Sequence, residues 1–344
     1  MVAELIPSYL GFGNDIYMMG ICGMGGLGKT TLARAIYDEY SDHFEGSSFI
    51  ANVRERSENG EPHELQQQLL DEILEGSNTK IDNVQVGVKK IMSSGLRHKK
   101  VLLVLDDVSH KDQLEKLAGE CDWFGLGSWI IITTRDEHVL VDHGVPKIYK
   151  PNGLDYDDAL RLFCLKAFKK EQPQEGYMQL SQKVVEYAGG LPLALVVLGS
   201  FLVGRTVEEW QSEIDRFNIS KGDIEGDMHQ ILKISYDGLE EMWKEIFLDI
   251  ACFFRRWETK DRVIQILENC GFNARIGISV LLDKYLLTIG DYERLEMHDL
   301  LQGMGERIIR FGLDGKHGKQ SRLWRIMDLL LVLENDKVRK MIKL

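Results

Sequence analysis

The stretch Gly23-Met24-Gly25-Gly26-Leu27-Gly28-Lys29-Thr30-Thr31 constrains this chain most, because its spacing, G-x-x-x-x-G-K-[ST], has meaning only between a strand and a helix. Both flanks are present. Ile16 to Cys22 is a short apolar run of strand length, and Leu32, Ala35 and Ile36 continue at helical spacing. Glycines there let successive backbone N–H groups turn inward on a phosphate chain. Lys29 then reaches the β- and γ-phosphates, Thr30 offers its hydroxyl to Mg²⁺, and the helix points its positive end at the anion. The plain alternative is a glycine-rich turn with a solvated lysine, which the flanking strand and helix disfavour.

A second run, Val101-Leu102-Leu103-Val104-Leu105, closes on Asp106-Asp107, as expected of a buried parallel strand ending at the ligand edge of a sheet. Beside a phosphate loop, Asp106 is predicted to hold Mg²⁺, directly or through water. Asp107 is predicted to orient or polarise the water attacking the γ-phosphate. Taken alone, two adjacent acids could instead cap a turn. A third run, Trp129 to Ile132, ends in Thr133-Thr134-Arg135 and delivers polar groups to the same edge. Arg135 is the expected γ-phosphate sensor, although an ion pair with Asp136 or Glu137 would also suit it. Further strands are expected over Phe49–Val53 and Lys147–Lys150, and a helix over His63–Leu74. Strands alternating with helices through residue 150 predict a three-layer α/β domain on a parallel sheet.

Beyond Pro151 the pattern turns helical. Asp155-Tyr156-Asp157-Asp158 reads as an acidic helix start, and Gly189-Gly190-Leu191-Pro192 as a helix stop joined to a new start. Leu286–Ile289 and Arg294–Met297 read as short strands around Gly290-Asp291, and helices followed by such a hairpin suggest a winged helix. Asp299 and Gln302 have capping-box spacing, so Asp299 is expected to cap the next helix. His298 sits beside that helix N-terminus, where an anion could be held.

Composition narrows the partners. A net charge of −12 over 344 residues disfavours a broad footprint on nucleic acid or an anionic membrane. The five cysteines lack C-x-x-C spacing, so neither zinc nor a disulfide framework is expected. No secretory signal is visible, and the longest apolar run, Leu191–Val203, is too short to cross a bilayer. A cytoplasmic or nucleo-cytoplasmic protein is the expectation.

Taken together the motifs resemble the NB-ARC core of plant nucleotide-binding leucine-rich-repeat disease-resistance proteins. Residues 23–31, Leu-Val-Leu-Asp-Asp-Val at 103–108 and Ile-Thr-Thr-Arg-Asp at 132–136 match its nucleotide-binding domain. Gly-Leu-Pro-Leu-Ala at 190–194 matches its helical domain, and Met-His-Asp at 297–299 its winged helix. Phe247 to Phe254, and the absence of Trp after Val108, resemble the subclass with an N-terminal TIR domain. The resemblance implies a P-loop domain over 1–150, a helical domain over 151–220, a winged helix over 221–312 and an extension over 313–344 towards a repeat region.

It further implies a signalling switch using ADP or ATP with Mg²⁺: ADP closes the domains, and exchange for ATP opens them to form a homo-oligomer. By the same resemblance Pro192 packs on the adenine and His298 contacts the ADP β-phosphate. TIR and leucine-rich-repeat domains, not included in this sequence, are the implied partners within a longer protein. The family's adenine-pocket segment before the first strand is not recognisable. Asp107 stands where faster relatives carry Glu, so slow hydrolysis is expected. Two other classes compete. A steady-turnover ATPase or kinase would need an acceptor site, and no separate catalytic constellation is seen. An ATP-regulated winged-helix DNA-binding protein would need a basic stripe, yet residues 258–284 mix bases with acids.

Overall fold

A computed structural model describes residues 15–58, 60, 62–74, 80–93, 95–217, 224–254 and 258–311. The chain divides into two compact units, residues 1–152 and 153–344. The opening segment before Asp15 and the extension over 313–344 lie outside the described residues.

In the first unit, β1 (Tyr17–Cys22) leads through the glycine-rich loop into α1 (Lys29–Tyr40). β2 (Gly46–Ile50) is followed by α2 (Val53–Glu58), α3 (Pro62–Ile73) and α4 (Val84–Ser93). Then come β3 (Val101–Val108), α5 (Lys111–Ala118), β4 (Trp129–Thr134), α6 (Glu137–His143) and β5 (Lys147–Tyr149). The five strands pair in the order β2-β3-β4-β1-β5, all parallel, so the ends of β1 to β4 share one edge.

The continuous apolar runs are explained by burial on both faces. Met19, Ile21, Leu102, Val104 and Ile131 pack with Leu32 and Ile36 of α1 on one side. Met18, Leu103, Leu105, Ile130 and Ile132 pack with Leu65, Leu69, Leu114 and Leu140 on the other. This period-2 division builds the three layers, each fully buried Leu or Ile contributing about 1.5–3 kcal/mol. The second strand corrects an expectation. It runs over Gly46–Ile50 rather than Phe49–Val53, because Asn52 turns the chain at φ 55° and Val53 opens a helix.

The second unit is helical: α7 (Tyr156–Phe168), α8 (Met178–Ala188), α9 (Pro192–Leu202), α10 (Val207–Phe217), α11 (Ile224–Asp237), α12 (Glu241–Phe253), α13 (Lys260–Asn269), α14 (Ala274–Asp283) and α15 (Asp299–Phe311). Asp155 caps α7 by accepting the Asp158 N–H, and Gly189 ends α8 two residues before Leu191 caps α9. α9 is apolar nearly all round and central to this unit; Ala194, Leu195, Val197 and Leu198 are inaccessible. At Gly199 a methyl group would lie 3.0 Å from the Phe163 carbonyl, so glycine sets the approach of α9 to α7. Trp210 closes the cluster against Phe163, Phe168 and Tyr177, its indole N–H donating to Leu202 O at 2.9 Å.

The expected hairpin forms with shorter strands: β6 (Thr288–Ile289) pairs antiparallel with β7 (Leu295–Glu296). Its turn reaches past Gly290-Asp291 to Tyr292 and Glu293, both at positive φ. All five cysteines are free thiols. Among the described residues, no helix is long and apolar enough to cross a membrane.

Candidate functional site

Four adjacent strands deliver polar groups to one edge of the first unit. The loop after β1 carries Gly26 and Gly28, both at φ 82°, where a β-carbon would strain the backbone. Gly28 caps α1 without a side chain, and the first turn of α1 holds no acid. The N–H groups of that turn are therefore presented to an anion. Lys29 is 8% exposed, and its Nζ donates to Gly23 O at 2.7 Å and Met24 O at 2.9 Å. Burial pushes its ammonium below the usual lysine value and the Arg135 charge adds to this, while Asp107 and Asp106 oppose it. A buried cation under such strain is a place where a polyanion is stabilised. The loop therefore fits a phosphate chain.

The β3 acids are turned by a one-residue irregularity. Leu105 pairs with Ile132 and Val108 with Thr134, so β3 takes three steps where β4 takes two. Asp107, in the extra length, adopts φ 56°. Thr133 accommodates both acids: its Oγ1 donates to Asp106 Oδ1 at 2.6 Å and accepts the Asp107 N–H at 2.9 Å. Asp106 is 2% exposed, and the same Oδ1 accepts Thr30 Oγ1 at 2.8 Å. A hydroxyl and a carboxylate in contact at the loop form a hard-oxygen donor pair suited to Mg²⁺, which binds with few protein ligands plus phosphate oxygens and water. Among the described residues no group of three or more His, Cys, Asp or Glu side chains could hold a metal without such help.

Asp107 faces two guanidiniums. Arg54 Nη2 lies 3.0 Å from Oδ2, and Arg135 Nε lies 3.6 Å from Oδ1. The other partners considered for Arg135 have duties of their own: Asp136 caps α6 by accepting the His138 N–H, and Glu137 receives Lys150 at 2.6 Å. Arg54 was not legible in the sequence as a site residue. Its only signal is an arginine just past the end of a strand neighbouring the acidic one.

The loop and Thr30 after β1, Asp106 and Asp107 of β3, and Arg135 after β4 thus gather at one edge. Residues 2–173 match the NB-ARC domain. The chain belongs to the NB-ARC family. Residues 240–312 match the winged-helix domain of Roq1-like disease resistance proteins. The chain is 45% identical over 341 residues to TMV resistance protein N of Nicotiana glutinosa, covering 97% of this chain and 29% of that protein. It is 43% identical over 324 residues to disease resistance protein RPV1 of Vitis rotundifolia, covering 94% of this chain and 23% of that one. The chain therefore spans less than a third of the length of these relatives. They place this NB-ARC module among the TIR-type plant disease-resistance proteins. A signal transduction ATPase with numerous domains, from Pyrococcus horikoshii and carrying a tetratricopeptide-repeat sensor, shares the fold. Its TM-score is 0.56 at 17% identity, over 98% of this chain and 45% of that one. Nucleotide binding follows from the NB-ARC P-loop.

Pro192 and His298 lie in the second unit, Pro192 as the first residue of α9. His298 corrects an expectation. It, rather than Asp299, caps α15: its Nδ1 accepts the Leu300 N–H at 3.1 Å, and its carbonyl accepts from Leu301 and Gln302 at 2.8 and 3.0 Å. Asp299 is already the first helical residue. With Nδ1 as acceptor, a neutral ring carries its proton on Nε2.

Proposed function

We propose that this chain is the nucleotide-operated switch of a plant disease-resistance protein, closed with ADP, open with ATP, and reset by slow hydrolysis. The observation that carries the reading is Thr30 and Thr133 meeting on one oxygen of Asp106, beside Lys29 and an Asp107 flanked by arginines.

In this reading the backbone from Gly23 to Thr31 wraps the phosphates, and the Lys29 ammonium leaves the loop carbonyls for the β- and γ-phosphates. Thr30 and Asp106 would hold Mg²⁺, which would supply neutralisation of the phosphate charge. Thr133 fixes the Asp106 carboxylate by donating to it. Arg135 binds the γ-phosphate and so distinguishes ATP from ADP. Asp107 orients water and accepts its proton; as the shorter acid it reaches less far than glutamate, which agrees with slow turnover.

Pro192 packs on the adenine and His298 contacts the ADP β-phosphate in the closed state. A contact made in one state alone biases the equilibrium towards that state. The ATP state assembles as a homo-oligomer, with TIR and leucine-rich-repeat segments of the longer protein as the output and sensing partners. Mass spectrometry of nucleotide released from the purified chain tests this reading. ADP is expected; ATP as the retained species, or protein purified empty that takes up neither nucleotide, would overturn it.

A further inference from the structure

We propose that Arg54 is a positioning residue for Asp107, holding its carboxylate in the attitude from which it orients water. The inference rests on the reading of Asp107 given above and extends it to a residue in the helix that follows β2.

Asp107 is poorly constrained by its own strand. It occupies the irregular step of β3 at φ 56°, in the left-handed region and outside the regular register with β4, which resumes at Val108. Its backbone N–H is fixed by Thr133 at 2.9 Å, but that bond leaves the side-chain torsion open. The torsion is set by the two guanidiniums. Arg54 Nη2 takes Oδ2 at 3.0 Å, and Arg135 Nε approaches Oδ1 at 3.6 Å, so the two oxygens are divided between an arginine after β2 and one after β4. Arg54 holds the shorter contact, and a planar guanidinium fixes a carboxylate better than a point charge does.

The two arginines have different duties. Arg135 is drawn towards the γ-phosphate when ATP binds, which loosens its long contact with Asp107. Arg54 follows β2, on the opposite side of β3 from β4, and lies in the first turn of α2, which packs on β3. Its hold on Oδ2 is therefore independent of the γ-phosphate contact, and Oδ1 becomes available to accept a proton from water. The Arg54 and Asp107 side chains are 29% and 16% exposed. A partly solvated pair contributes little to stability. Loss of Arg54 should therefore appear in the rate rather than in the fold.

The experiment is single-turnover ATP hydrolysis, with ATP and ADP dissociation constants and thermal unfolding, for wild type, Arg54→Gln, Arg54→Lys, Asp107→Asn and Arg54→Gln/Asp107→Asn. Arg54→Gln should slow hydrolysis roughly 10-fold, with both dissociation constants within about 2-fold of wild type, since small misplacements of a reacting group act mainly on the rate. Arg54→Lys should recover part of the rate. Adding Arg54→Gln to Asp107→Asn should slow the reaction no further. A wild-type rate, or a faster one, in Arg54→Gln while Asp107→Asn is slow would overturn the proposal and leave Asp107 standing. So would losses of ADP and ATP affinity, which would put Arg54 on the nucleotide. Absence of hydrolysis in wild type, or a wild-type rate in Asp107→Asn, would overturn the Asp107 assignment and this one with it.

Discussion

Thr133 Oγ1 lies 2.6 Å from Asp106 Oδ1, and the same hydroxyl accepts the Asp107 N–H. One buried side chain of β4 thus fixes two consecutive acids of β3. Thr133→Val keeps the shape and removes both bonds. It removes the hydroxyl acceptor of the Asp107 N–H and one of the donors to Asp106 Oδ1, at an expected cost of about 1–3 kcal/mol. Urea denaturation of nucleotide-free protein reads this as a lower midpoint; an unchanged midpoint would mean that neither bond supports the fold.

Lys29→Ala should release nucleotide, because the charge-assisted contact to phosphate goes while the loop backbone stays. The loss should be roughly 1.5–3 kcal/mol of binding, about 10- to 150-fold in dissociation constant. Retention of ADP at the wild-type level through purification would remove Lys29 from the principal ligands.

The pH dependence has a definite sign. Burial, with Arg135, holds the Lys29 ammonium below its ordinary value of 10.5 in the free protein. A phosphate raises it again, so binding favours the protonated lysine. Affinity should be full below the free-protein value and decline as pH rises through it towards the bound value. Titration of ADP binding from neutral pH upwards should show this decline in wild type and not in Lys29→Ala. A flat wild-type profile would place the phosphates away from Lys29.

Asp107→Asn should slow single-turnover hydrolysis while leaving ATP affinity nearly unchanged, since a water-orienting carboxylate acts mainly in the transition state. Equal losses of affinity and rate would assign Asp107 to metal or to folding.

Much of the first unit was legible because its strands are buried on both faces. Val101–Leu105 and Trp129–Ile132 are unbroken apolar runs, and each ends in the polar residues that reach the loop. The start of β2 carries little strand signal because its first residues, Gly46, Ser47 and Ser48, are small or polar. The β-branched Val53 pulled the expectation into what is a helix. Local propensity lost there to the turn at Asn52. Arg54 was invisible since its meaning depends on Asp107, far away in sequence. The α15 cap was misassigned by one residue, as side-chain preference at helix starts favours Asp over His, yet the chain enters the helix with His298 at the half-turn position.

The switch is most exposed at His298, which this account gives two roles: cap of α15 and closed-state contact to the ADP β-phosphate. His298→Ala removes both, at about 1 kcal/mol of stability for the cap, whereas His298→Asn keeps a good cap and removes only the imidazole. The decisive measurement is the pair of dissociation constants for ADP and ATP, determined side by side for wild type and both variants. Weaker ADP binding is expected in both variants, with ATP binding little changed. Equal weakening of the two nucleotides, or wild-type ADP affinity in a well-folded His298→Asn protein, would contradict an ADP-locked switch.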